Sequence, residues 1–147
     1  MFYCKGKNVL LTEEDLKRIP RGYTKLVSIM YKGRRFVYRT LKKKNGSCIF
    51  FKRGQCTAKY KPLLCRTHPI YFDINFQDRS IVWKSFSGKK RPKKKVKKAL
   101  IDFIEKEKPE TIFVYIVKSR KLKLKPLEEE ALPKGIIKKI KEVKKFL

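Results

Sequence analysis

The chain has 147 residues, which suits one small domain with a hydrophobic core. Hydrophobic residues make up 41% of the sequence and aromatic residues 12%, so a chain that is disordered throughout is excluded. Lys and Arg number 41 against 13 Asp and Glu, and the resulting net charge of +28 favours anionic partners.

The positive charge is concentrated in one stretch of the sequence. No carboxylate occurs between Asp15 and Asp73, and a field of one sign both attracts anions and favours the thiolate form of cysteine. A thermophile-like composition is the alternative explanation, although it raises Glu together with Lys. No apolar run is long enough for a bilayer and the N-terminus lacks a secretory signal, so we expect a cytoplasmic protein without a membrane partner.

The first half of the chain predicts one short helix followed by extended segments. Residues 11–20 form the predicted helix, with Thr12 as N-cap and Asp15 completing a capping box. Extended segments follow between Tyr23 and Leu41, broken by a predicted turn at Lys32-Gly33. Asn45-Gly46 predicts a second tight turn just before the cysteine-rich segment.

The second half predicts a hairpin, a helix, a strand and a closing helix. Residues 70–76 and 80–86 alternate as two strands, and the basic run after them merges into a helix that Pro109 stops. The remaining predictions are a strand over 111–118, a short edge strand over 121–125, a helix start at Glu128–Glu130, and an amphipathic helix over 133–147.

Together these elements predict an α+β fold: a small single domain of antiparallel strands with three or four helices and a cysteine-rich metal-binding segment. Within it, residues 1–88 form the cysteine-cluster region and residues 89–147 a basic extension packed on it.

The cysteine-rich segment, residues 48–69, holds Cys48, Cys56, Cys65 and the single histidine of the chain, His68. Thiolates are strong ligands for zinc and for iron–sulfur clusters, and four ligands close either site. The spacing contains no C-x-x-C pair, so by itself it leaves both metal binding and buried space-filling thiols open.

The residues around these cysteines carry a family resemblance over about residues 4–70. A downstream phrase is formed by Gly46, Cys48, Phe50, Gly54, Cys56, Thr57, Tyr60, Pro62, Cys65, Arg66 and Pro69. An upstream phrase is formed by Cys4, Val9, Leu11, Thr12, Asp15, Leu16 and Ile19. Both phrases resemble the YkgJ-type cysteine-cluster family, whose members carry a zinc- or iron-chelating domain of the C-x-x-C-x-x-C-C type.

The resemblance implies a zinc ion or an iron–sulfur cluster held by four thiolates, those of Cys4, Cys48, Cys56 and Cys65. It also implies that Arg66 hydrogen-bonds the sulfurs or balances their charge. Of the family's N-terminal cysteines only Cys4 is kept, so we expect a chain that is N-terminally truncated relative to the family. If Cys4 lies apart from the others, His68 is the substitute ligand; otherwise a packed histidine is expected.

A basic nucleic-acid-binding module with structural cysteines is the alternative function. Its candidate phosphate-binding residues are Lys89, Lys90, Arg91, Lys93, Lys94 and Lys95. Aromatic residues that are candidates for stacking on bases are Tyr31, Phe36, Tyr38, Trp83 and Phe86. A solvated helix start explains the same basic run without a ligand. No catalytic motif is found, and the family's biochemical role is largely unassigned, so the sequence predicts a site without a reaction.

Overall fold

The computed structural model describes residues 3–5, 7–88 and 91–147. They form two compact units, the first ending at His68 and the second beginning at Pro69. The sequence analysis placed the division after residue 88 instead, beyond the 70–86 hairpin, which belongs to the second unit. The α+β class is confirmed, with five α-helices and only antiparallel strand pairs among the described residues. None of the described helices combines the length and apolar character needed to cross a bilayer.

The N-terminal unit is built from short elements. A 3-10 turn at Tyr3–Lys5 precedes α1 (Glu13–Arg18) and a second 3-10 turn, Arg21–Tyr23. The strands and the last helix of the unit are β1 (Thr24–Tyr31), β2 (Arg34–Leu41), β3 (Lys43–Lys44), β4 (Ser47–Cys48), β5 (Phe51–Lys52), β6 (Gln55–Cys56) and α2 (Leu63–Thr67).

Three hairpins of the N-terminal unit turn through a residue with positive φ followed by glycine. At the β1–β2 turn Lys32 has φ 49° and Gly33 φ 77°, and the β3–β4 turn repeats this with Asn45 and Gly46, as predicted. The third turn, Arg53-Gly54 between β5 and β6, was not predicted, because its flanking strands have only two residues each and give no alternating pattern.

The C-terminal unit is a three-stranded antiparallel sheet with helices. Its elements are β7 (Tyr71–Asn75), β8 (Ser80–Ser85), α3 (Lys94–Lys106), α4 (Pro109–Arg120), β9 (Lys125–Ala131), a 3-10 turn at Lys134–Ile136 and α5 (Ile137–Lys144). The strand order is β7-β8-β9, so β8 is central. The predicted 70–86 hairpin and closing helix are confirmed within a few residues.

The core of this unit is aromatic. Phe72 of β7 stacks on Tyr115 of α4 at a centroid distance of 4.3 Å, and Phe103 and Trp83 pack against Phe72. The backbone N–H of Phe72 donates to the Tyr115 hydroxyl at 3.0 Å, so the buried phenol is satisfied. Such rings each remove a large apolar area from water and dominate the stability of a small core.

The strand predicted over 111–118 is wrong, because this segment lies within α4. Pro109 occupies the first turn of that helix, where its fixed φ is favourable and its missing N–H costs nothing. Residues 112–117 are buried on every side of the helix. A helix buried all round reads as a continuous apolar run, which periodicity alone cannot distinguish from a buried strand.

The helix start predicted at Glu128–Glu130 is also wrong, since these residues lie in β9. Their carboxylates have partners on neighbouring elements: Glu130 accepts from Trp83 Nε1 at 2.6 Å, and Glu128 pairs with Lys97. The edge strand predicted at 121–125 is displaced as well, because β9 begins only at Lys125. Tertiary pairing has overridden the weak strand propensity of three consecutive glutamates.

Candidate metal centre

All four cysteines line one cavity of about 310 Å³ in the N-terminal unit. Each comes from a different element: Cys4 from the first 3-10 turn, Cys48 from β4, Cys56 from β6 and Cys65 from α2. β4 lies against the 3-10 turn that carries Cys4. None of the four is in a disulfide, and each is half-buried. Residues separated by more than forty positions are thus gathered at one place.

The four thiols are close enough to one another for every pair to interact electrostatically. Cys4 interacts with Cys48 and Cys56, and its side chain hydrogen-bonds that of Cys56. Cys48 interacts with Cys56, and Cys65 with all three others. The four thiols thus share one cavity. Across the described residues, however, no three or more His, Cys, Asp or Glu side chains stand in an arrangement that would hold a metal ion.

Burial and mutual repulsion raise the pKa values of the Cys65, Cys4 and Cys48 thiols and so favour their protonated form. Burial first, and then the nearby Cys4, Cys48, Cys56 and Asp15, raise the pKa of Cys65 to about 12. The pKa of Cys4 is raised by burial and by the Cys56 and Cys48 thiolates. A cation bound among the sulfurs has the opposite effect on these pKa values, because its positive charge stabilises the thiolates that burial disfavours.

Cys48 sits in a turn that aims backbone donors at its sulfur. Burial raises its pKa, but the N–H groups of Phe50 and Phe51 hydrogen-bond the sulfur and favour the thiolate. The turn is held from both sides, since Ile49 N–H donates to the Lys42 carbonyl at 2.9 Å and Thr57 donates twice to the Phe50 carbonyl. Backbone N–H donors of this kind orient a sulfur ligand and tune its basicity.

Asp15 positions the helix that carries Cys65. It is fully buried and forms the predicted capping box with Thr12. The same carboxylate accepts from the Tyr60 hydroxyl at 2.7 Å and from the Leu63 N–H at 3.2 Å. Leu63 is the first residue of α2, whose N-cap, Pro62, supplies no side-chain bond. Asp15 therefore caps two helices at once, and sequence analysis recognised only the local one.

Arg66 lies beside this arrangement and is not among the residues that line the cavity. Its Nε donates to the Lys61 carbonyl at 3.0 Å, and its guanidinium lies 5.7 Å from the centre of the Tyr60 ring. Arg18 approaches the same ring at 5.4 Å. These contacts hold the segment before α2; the contact of Arg66 with the sulfurs that the resemblance implies stays a prediction.

His68 also lines the cavity. Its ring meets that of Tyr3 edge-on at a centroid distance of 6.0 Å, and burial lowers its pKa, which keeps the imidazole neutral. Cys4 lies at the same cavity as the other three thiols, and a ligand role for His68 stays a prediction.

The candidate nucleic-acid residues are partly described. Lys89 and Lys90 lie outside the described residues; Arg91, Lys93, Lys94 and Lys95 are exposed at the start of α3. Stacking on bases by Trp83, Phe36 or Tyr38 is wrong, because all three are buried in the cores of their units.

Comparisons of the chain with family models, with curated proteins and with solved structures find no match. The cysteine-cluster resemblance therefore stays a prediction that rests on the residues quoted for it. The structure adds two residues that sequence analysis left without a role in the site, Asp15 as the cap of α2 and Tyr60 as its partner. Asp15 belongs to the upstream phrase of the resemblance and Tyr60 to the downstream phrase, and this membership was the sequence signal that could have assigned them to the site.

Proposed function

We propose that this protein binds a metal centre, either a zinc ion or an iron–sulfur cluster, through the thiolates of Cys4, Cys48, Cys56 and Cys65. The observation that carries the proposal is that all four cysteines line one cavity from four different elements. Cysteines that only fill space are among the most buried residues of a protein. The four cysteines here are half-buried and stand at a cavity wall instead.

Charge supports the same proposal. Four thiolates around a divalent cation leave a net negative charge, which needs compensation in a partly buried site. The cavity wall includes Lys7, Lys43 and Lys61 and, within the described part of the chain, no acidic residue. Lys43 and Lys61 belong to the lysine-rich, carboxylate-free stretch between Asp15 and Asp73, which thus contributes counter-charge that a thiolate centre requires.

Within this proposal each part of the chain has a defined task. The four thiolates hold the metal, the Phe50 and Phe51 N–H groups orient Cys48, and Asp15 fixes the start of the helix that carries Cys65. The metal, when bound, supplies the positive charge that keeps the thiolates ionised and cross-links their segments. Free thiols at such a site fit a reducing compartment such as the cytoplasm. The YkgJ-type resemblance supports the same four ligands.

Anaerobic purification followed by elemental analysis and a visible spectrum tests the proposal. We expect either colourless protein with one zinc per chain or brown protein with iron and sulfide. Single Cys→Ser variants at the four positions should each lose most of the metal. His68→Gln is the matched control, because it changes a residue of the same cavity wall outside the proposed ligand set, and it should keep the metal. Folded, metal-free protein refutes the proposal.

A nucleic-acid-binding module is the second candidate, favoured by the exposed cations Arg91, Lys93, Lys94 and Lys95 at one helix start. Binding through phosphates weakens steeply with salt. Replacing these four residues by Gln should reduce both the affinity and the salt slope on a mixed-sequence duplex or RNA. A slope that stays the same in the variant removes this candidate.

A further inference from the structure

The cavity that the cysteines line has a second, cationic wall. Lys7, Lys43 and Lys61 contribute to it, together with Gln55 and Thr40. Much of the remaining surface is apolar, from side chains such as Leu41 and Phe50. Positive charge and a few polar groups over an apolar floor are the features of a site for a small organic anion.

Thr40 points to the same conclusion independently of charge. It lies near the end of β2 and is only 1% exposed, yet its Oγ1 is buried without a hydrogen-bond partner. Buried hydroxyls are nearly always paired, because an unpaired one loses its bonds to water and gains nothing in return. A valine would fill the same volume without that cost, so a threonine at this position indicates a hydrogen-bond partner for the hydroxyl. Thr40 is among the residues that line the cavity.

We infer that this cavity binds a small oxyanion, a carboxylate or a phosphate, whose oxygen accepts a hydrogen bond from Thr40 Oγ1 and whose charge is balanced by Lys7, Lys43 and Lys61. The site goes beyond the proposed metal centre: neither the hydroxyl nor the lysines are proposed metal ligands, although the oxyanion would share with the thiolates the counter-charge of the same three lysines. An anion that binds here lies in the same cavity as the four thiols, so it is a neighbour of whatever they hold.

The test is a titration of the isotope-labelled full chain, as purified, with acetate, succinate and inorganic phosphate. Ionic strength is kept constant with chloride, because a chain of net charge +28 attracts every anion weakly. We expect saturable shifts of the amide signals of the cavity-lining residues in at least one arm. The arm that saturates at the lowest concentration identifies the source of the oxyanion. Shifts that never saturate, or that spread over the whole surface, overturn the inference.

Two matched pairs of variants locate the site. Thr40→Val should weaken anion binding about tenfold or more and raise the thermal midpoint without anion, because it removes an unpaired hydroxyl. Thr40→Ser keeps the hydroxyl and should keep the affinity. Lys7→Gln should weaken binding, whereas Lys52→Gln, at an exposed lysine that is not among the cavity-lining residues, should not. Equal affinities within either pair overturn the inference.

The outcome is separable from that of the metal proposal. Metal content is measured on the same samples by elemental analysis and should be unchanged in Thr40→Val. Loss of anion binding with the metal retained supports the inference alone, whereas metal-free protein that binds anions normally refutes only the metal centre. Should Thr40→Val fail to fold, the comparison of the two lysine variants decides.

Discussion

The two units of this chain are ordered by different means. In the C-terminal unit, helices of eight to thirteen residues and a three-stranded sheet bury stacked aromatic rings. In the N-terminal unit the α-helices have six and five residues, and four of its six strands have only two. An apolar core suffices for the first case, whereas ladders this short need further cross-links, which small domains commonly obtain from metals or disulfides.

Beside a buried apolar core that includes Leu10 and Phe36, the N-terminal unit has cross-links that are polar. Asp15 ties α1 to Tyr60 and to the start of α2, and Thr57 ties β6 back to Phe50. The proposed metal centre would add a third link, joining the segments of Cys4, Cys48, Cys56 and Cys65. The difference between the units therefore predicts that they respond differently to metal removal and to core substitutions.

Metal removal should have the largest effect. Stripping the metal with a chelator under reducing conditions removes a contribution that is about 10 kcal/mol in small zinc domains. We expect the backbone amides of the N-terminal unit, above all around Cys48, Cys56 and Cys65, to lose hydrogen-exchange protection by orders of magnitude. The β7–β9 amides should keep theirs and serve as the internal control. Equal loss in both units, or no loss in either, contradicts the comparison.

Phe72→Ala should give the converse result. Phe72 is fully buried and contacts Trp83, Phe103 and Tyr115, so the variant should lower the free energy of unfolding of the C-terminal unit by about 4 kcal/mol. Urea denaturation followed by Trp83 fluorescence measures it, and metal content should not change. Val82→Ala, at a half-buried position of the same sheet, is the control and should cost far less. Metal loss in Phe72→Ala would show that the units are not separable.

Asp15→Ala should weaken the N-terminal unit by about 3 kcal/mol. The variant leaves the Leu63 N–H, the Thr12 N–H and the Tyr60 hydroxyl without their acceptor, and each unmet donor costs about 1–3 kcal/mol unless water reaches it. Because α2 loses its cap, the metal should also be released at a lower chelator concentration. Glu14→Ala, in the same helix but exposed, is the control. Identical behaviour of the two variants would remove Asp15 from its positioning role.

Tyr60→Phe should have the smallest effect of these changes. It removes one hydrogen bond to the Asp15 carboxylate and keeps the ring beneath Arg18 and Arg66, so about 1.5 kcal/mol should be lost. Chelator competition and urea denaturation measure it against Tyr23→Phe, whose ring packs on Phe50. A loss as large as that of Asp15→Ala would mean that the phenol, rather than the carboxylate, organises the start of α2.

Local signals in the sequence predicted the local parts of the fold. The Thr12–Asp15 capping box and the Lys32-Gly33 and Asn45-Gly46 turns are each specified by residues within four positions, and all are confirmed. The strand prediction for residues 111–118 was wrong because a helix that is buried on all sides has no amphipathic period. The helix start predicted at the glutamates of β9 was wrong because the residues that pair with them, Trp83 and Lys97, are remote in sequence.

The candidate site was predictable to the extent that family phrases could group its residues. The spacing of the cysteines alone did not decide between metal binding and space-filling thiols. The resemblance grouped Cys4 with the other three. The structure places all four at one cavity. The second role of Asp15 was not predictable, because its partners Tyr60 and Leu63 lie 45 and 48 positions away. The unpaired Thr40 hydroxyl has no sequence signal at all, since it appears only once the fold around it is known.

X-ray absorption at the metal edge of the anaerobically purified chain tests the central claim most directly. We expect a first shell made of sulfur alone at about 2.3 Å, with four sulfur neighbours per metal. That number should fall in Cys65→Ser and stay unchanged in His68→Gln. A first shell of nitrogen or oxygen, or the same spectrum in Cys65→Ser, would contradict a metal centre held by the four thiolates.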